Sequence, residues 1–261
     1  MTIASSPNKS FTLSGFLTGD KPAGFLLSLV AGFVDTAAFI ILFGIFTAHV
    51  TGNIALAGSS IVGDDEESVF TRLITLPAFM ITVAMTSLLA RYARRKGWPV
   101  FAVLLTAEAI ALVVFLIVGA TLSPALLLDV QEEYILPIAL SGIVAMGIQN
   151  TLMKEAKGTF KSYIPTTVMT GNTTQLTIDL VQLIGSKFSS GDEAEQEAQE
   201  SVERISRYVP VIAGFALGGG AAALFILASE TWWTLIMPLV IVTVLAIAAY
   251  AEHNRNPSVS Q

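Results

Sequence analysis

Six apolar runs dominate this chain, at residues 24–44, 69–90, 99–119, 135–152, 208–228 and 232–250. Each approaches the roughly 20 helical residues needed to cross a hydrocarbon core about 30 Å thick. Lipid offers no hydrogen bonds, so a run of this kind has to satisfy its backbone internally, as a helix does. Composition agrees: 53% of the 261 residues are hydrophobic and only 13% charged, with a mean hydropathy of +0.70, too little polar surface for a water-soluble globule of this size. The expected solvent for most of the chain is a lipid bilayer.

The net charge of −6 gathers in loops such as Asp64-Asp65-Glu66-Glu67 and residues 192–203, which gives no basis for a nucleic-acid partner. The absence of cysteine excludes disulfides, thiolate metal sites and cysteine nucleophiles, and two histidines leave little scope for a metal cage. No cofactor is expected. Gly-x-Ser-x-Gly, phosphate-loop and His-Glu-x-x-His patterns are missing, so the reading is not an enzyme. The polar first 23 residues hold the sequon Asn8-Lys9-Ser10, read as accidental, and precede a retained first span rather than a cleaved signal.

Between the first and second runs, and again between the fourth and fifth, lie more polar segments that resemble each other. One reads Phe46-Thr47-Ala48-His49-Val50-Thr51-Gly52-Asn53 and the other Thr166-Thr167-Val168-Met169-Thr170-Gly171-Asn172. Upstream, Gly32-Phe33-Val34-Asp35-Thr36 matches Gly147-Ile148-Gln149-Asn150-Thr151. Downstream, Leu76-Pro77 matches Val209-Pro210, and Trp98 matches Trp232-Trp233. Four markers in one order imply an internal duplication.

Charge counting then chooses a topology, because Lys and Arg collect on the cytoplasmic side of span ends. If the Thr-Gly-Asn segments cross, giving eight spans in two parallel four-span repeats, seven of the fourteen basic residues fall on each side. If they do not cross, thirteen lie on one side and only Arg72 on the other. The second arrangement is preferred: an all-α polytopic protein of six spans in two inverted three-span repeats, each with a re-entrant or broken-helix Thr-Gly-Asn element. Its parts are a polar tail (1–23), a first repeat (24–119), an acidic connector (120–134), a second repeat (135–250) containing an acidic loop (186–207), and a polar tail (251–261). Both termini are expected in the cytoplasm, with the protein in the plasma membrane.

In transporters, inverted repeats often bring broken helices together near the bilayer midplane to bind solute. The tripeptides suit such breaks, since Gly tolerates unusual dihedrals and Thr and Asn cap helix starts, leaving a positive helix end for a polar or anionic group. The candidate solute- or proton-binding residues are therefore Thr51, Gly52 and Asn53 with Thr170, Gly171 and Asn172. Asp35 and Glu108 join them, because a carboxylate facing lipid costs at least about 2.5 kcal/mol and needs a partner or a path. Asn150, aligned with Asp35, cannot titrate; Gln149 and His49 complete the set, His49 because it titrates near neutral pH. The structural alternative for each is a turn or a helix-packing hydrogen bond.

Gly32-x-x-Asp35 followed by Phe46 and Thr51-Gly52-Asn53 resembles the YoaK-like family of multi-spanning membrane proteins, over roughly residues 24–250. That resemblance implies a membrane protein with no settled substrate; the acidic insertion 191–203 departs from it. The expected function is a permease or secondary transporter of a small polar or anionic solute, with a proton-linked step at Asp35. A membrane scaffold or sensor, or a channel, is the alternative, and self-association is left open.

Overall fold

The computed structural model describes residues 11–63, 66–124, 130–156, 164–188 and 191–255. The Asn8 sequon, Lys9, Asp64, Asp65, Lys157 and Lys161 lie outside the described residues. Helices make up the described secondary structure, in the order α1 (Leu13–Leu17), α2 (Asp20–Ile41), α3 (Val50–Val62), α4 (Glu66–Leu73), α5 (Thr75–Arg95), α6 (Val100–Leu122), α7 (Glu132–Glu155), α8 (Met169–Ser186), α9 (Asp192–Ser229) and α10 (Ile236–Arg255). A 3₁₀ turn, Trp232–Leu235, leads into α10.

Six of these helical stretches are long and apolar enough to cross a membrane: Asp20–Ile41, Val69–Arg95, Val100–Leu122, Glu132–Glu155, Asp192–Ser229 and Trp232–Arg255. They coincide with the six runs expected from hydropathy. The fifth reaches further than its apolar run. At 38 residues α9 is about 57 Å long, nearly twice the hydrocarbon thickness, and its first turns carry Asp192, Glu193 and Glu195. Much of the stretch read as an acidic loop is therefore helix.

Glycine sets the tightest helix contact. A Cβ on Gly32 would overlap the Phe215 carbonyl oxygen, and Cβ atoms on Gly214 and Gly218 would overlap those of Phe25 and Leu29. Gly24 meets Val211, Phe25 meets Gly214, Leu29 meets Gly218 and Phe33 meets Phe225, so α2 and α9 run parallel with backbones touching, a packing that small residues permit inside a membrane. α5 and α7 are also parallel: Gly147 faces Thr82, whose Cγ2 would lie 2.7 Å from an added Cβ, and further along Arg94 and Ser87 bond to the Glu155 carboxylate, both at 2.5 Å. Around these pairs α6 packs on α7 and α10, burying Phe101, Leu104, Leu105, Leu112 and Phe115 against Ile138, Met146 and Leu245. α8 lies antiparallel on α9, pinned where Arg204 Nε donates to the buried Asp179 at 2.8 Å.

Candidate functional site: two elbows inside the bundle

After Ile41 the chain turns sharply, with positive φ at Phe43 (50°) and Gly44 (85°). Arg72 donates to the carbonyls of Gly44 at 2.5 Å and Phe43 at 3.1 Å, placing a cation at the negative end of α2. The chain then runs back beside α2 as far as Asp35, six residues and about 9 Å before the helix end. There Asp35 Oδ1 accepts from the Thr47 and Ala48 amides at 2.8 and 2.7 Å and from Thr47 Oγ1 at 3.2 Å, while Oδ2 meets His49 Nδ1. Those amides precede α3 and have no helical carbonyl to reach, so the carboxylate supplies one. Asp35 is 2% exposed. A negative group of the protein's own thus lies just ahead of the positive end of α3.

Asn53 closes the same elbow. Its Oδ1 accepts from the Phe46 amide at 2.9 Å, and its Nδ2 donates to the Phe46 carbonyl at 2.8 Å and to Thr75 Oγ1 at 3.2 Å. His49 stands at the rim with its side chain 31% exposed, between the rings of Phe46 (5.5 Å) and Phe215 (5.8 Å).

The tripeptides play a different part from the one expected of them. Thr51, Gly52 and Asn53 lie in the first turn of α3, and Thr170, Gly171 and Asn172 in that of α8, all with ordinary helical dihedrals. The break falls earlier, at residues 42–49 and 164–168, and the helix-starting residues His49 and Val168 make no side-chain cap. Gly52 is required by space, since an added Cβ would lie 2.8 Å from the Phe46 ring; Gly171 has open space around it. Thr51, Thr170 and Gly171 are exposed, and only the two asparagines are buried.

At the second elbow Asn172 Nδ2 donates to the Pro165 carbonyl at 2.7 Å, over the same seven-residue reach as Asn53 to Phe46. Proline has no N–H, so the reciprocal bond made by Phe46 has no equivalent there. Asn150 accepts from Thr167 Oγ1 at 2.5 Å, where Asp35 gathers its amides, and donates to the Met146 carbonyl at 3.0 Å. Gln149 Nε2 donates to the Leu27 carbonyl at 2.6 Å and Thr166 Oγ1 at 3.2 Å, and Ser28 donates to the Thr166 carbonyl at 2.9 Å. Thr47 in turn packs on α7, its Cγ2 2.7 Å from where Gly142 would carry a Cβ.

The candidates therefore fall into two groups, buried Asp35 and Asn53 with half-buried His49 at one elbow, and buried Gln149 and Asn172 with half-buried Asn150 at the other. Glu108 is fully buried on α6. Thr47, Thr166, Thr167, Ser28, Thr75, Arg72 and Phe215 also build the elbows and were not singled out from sequence. A signal existed for two of them, because Thr47 and Thr166 align when the tripeptides are superposed. Among the described residues no cluster of three or more His, Asp or Glu could hold a metal ion.

Comparison with known proteins reaches the same ground. The model of a family described as "Protein of unknown function (DUF1275)" matches residues 23–248. The chain belongs to this family. A relative named "UPF0700 transmembrane protein YoaK" from Bacillus subtilis (strain 168) is 35% identical over 156 residues, covering 59% of this chain and 64% of the relative. No solved structure matches the chain. The six apolar helices and this transmembrane relative make the chain an integral membrane protein of the YoaK-like family.

Proposed function

We propose that the protein is a small secondary transporter built from two inverted three-span repeats, with the two elbows as its solute-handling centre and His49, oriented by Asp35, as its proton-linked group. One observation carries this reading: an acid–imidazole pair at an unwound elbow inside the bundle, its histidine side chain still 31% exposed.

The contacts favour inversion. On α2 the first elbow touches Asp35 and the second touches Leu27 and Ser28; on α7 the first touches Gly142 and the second Gln149 and Asn150. The order along the chain is reversed between the two helices, which fits antiparallel α2 and α7 with elbows entering from opposite faces about 10 Å apart. Parallel four-span repeats would put both elbows at one face. The parallel pairs α2 with α9 and α5 with α7 exchange partners between the halves as inversion requires: Gly32 meets Phe215 and Gly147 meets Thr82, positions that align when Pro77 is matched to Pro210. The same geometry gathers the described Lys and Arg residues at one face, with Arg72 alone opposite, which supports cytoplasmic termini in a plasma membrane.

Asp35 already places a carboxylate just ahead of α3, so a neutral polar solute suits the first elbow better than an anion. Reconstituted vesicles loaded with a pH-sensitive dye and challenged with amino acids, sugars and nucleosides test the coupling. Solute-driven proton movement that disappears in His49→Gln is expected; wild-type movement in that variant would sink the proton role.

A non-transporting scaffold is the second reading, favoured by burial of the centre: Asp35, Asn53, Gln149 and Asn172 are all at most 2% exposed. The chain has no cysteine, so a single His49→Cys reports access cleanly. Labelling by a membrane-impermeant thiol reagent supports the transporter, and inertness from both faces supports the scaffold.

A further inference from the structure

Among the described residues five buried side-chain oxygens lack a hydrogen-bond partner, and three of them belong to one helix pair: both carboxyl oxygens of Glu108 and Oε1 of Gln149. Both residues are 0% exposed. α6 and α7, joined through residues 123–131, pack as an antiparallel pair in which the Phe115 ring would lie 3.2 Å from a Cβ on Gly142. Glu108 stands seven residues before Phe115 and Gln149 seven after Gly142. Seven residues are two helical turns, so both lie on the facing sides, displaced in the same direction along the interface.

Every unpaired atom in this group is an acceptor, and what the group lacks is a hydrogen. An ionised Glu108 would be an uncompensated charge inside a membrane bundle. α5, α7, α10 and the 3₁₀ turn, which pack against α6, offer it no cation: their charged residues, Arg91, Arg94, Arg95, Glu132, Glu133, Lys154, Glu155, Glu252, His253 and Arg255, stand toward helix ends, as do Tyr92, Tyr134 and Tyr250. Asp35 and His49, on the first elbow, are bonded to each other.

We propose that Glu108 is a proton-binding site of the second elbow, holding its proton on the carboxyl and donating it to Gln149 Oε1. Gln149 passes the connection on, since its Nε2 bonds Thr166 within that elbow and the Leu27 carbonyl of α2. Each elbow then has one titratable station, His49 with Asp35 at the first and Glu108 through Gln149 at the second. As part of a proton pathway this rests on the transporter reading; as a protonation state it stands alone.

The test is infrared spectroscopy on the full chain in phosphatidylcholine vesicles at neutral pH, looking for the carbonyl stretch of a protonated carboxylic acid. That band is expected in wild type, lost in Glu108→Gln, and shifted to higher frequency in Gln149→Met, which keeps length but removes the acceptor. If Gln149→Met fails to fold, Gln149→Leu replaces it. A hydrophobic carbodiimide, which attacks protonated buried carboxyls, should modify Glu108 as located by mass spectrometry. Absence of a Glu108-dependent band, or a band unmoved by the Gln149 variants, overturns the proposal. A band that behaves as stated in vesicles showing no solute-driven proton movement overturns the transporter reading alone.

Discussion

Asp35 holds two backbone amides and a hydroxyl as well as His49, so its removal has two separable effects. Asp35→Ala strands the Thr47 and Ala48 amides in a buried place, at about 1–3 kcal/mol for each unsatisfied group. Asp35→Asn keeps an acceptor for them and removes only the charge beside His49. In thermal unfolding of detergent-solubilised protein, Asp35→Ala should fall well below wild type and Asp35→Asn only a little; equal losses would contradict the stapling role. The two tripeptide glycines, identical by sequence, should also part company. Gly52→Ala places a Cβ 2.8 Å from the Phe46 ring and is expected to destabilise, whereas Gly171→Ala meets open space and should be neutral or gain up to about 1 kcal/mol from helix propensity. The tripeptide was legible as a marker of the elbows but not in its role, because the bonds that bend the chain come from Asp35, twelve and thirteen residues from the amides it holds.

At the scale of elements, the six spans were readable because hydropathy over about twenty residues depends on composition and not on partners. The reach of α9 was hidden for the complementary reason: its first turns are acidic and exposed, and the helix is held to α8 further along, where Arg204 meets Asp179. Pro210 and Pro77 match as markers by sequence, yet Pro210 sits inside an unbroken helix while Pro77 falls in the first turn of α5, just after Ile74. Arg204→Ala should therefore loosen the hairpin alone, raising amide hydrogen exchange over residues 177–186 while α2, α6 and α7 stay protected. Uniformly faster exchange would show that the hairpin supports the whole bundle. The α2 and α9 contact is less forgiving. Gly218→Ala drives a Cβ into the Leu29 carbonyl, and overpacking of that kind costs about 1–3 kcal/mol or more.

For the whole molecule the decisive property is the direction of the elbows. Thr51 and Thr170 are both exposed, so single Thr51→Cys and Thr170→Cys variants in the cysteine-free chain should react with an impermeant thiol reagent from opposite faces. Reaction from the same face would favour parallel repeats. The α2 and α9 contact has a consequence for biosynthesis. α2 leaves the ribosome well before α9, the helix that matches its glycine-lined face. Until α9 is made, that face has only lipid, or a neighbouring nascent chain, against it. The N-terminal half should be a poor folding unit by itself, and two half-chains expressed together should find each other in the bilayer and restore the bundle that neither completes alone.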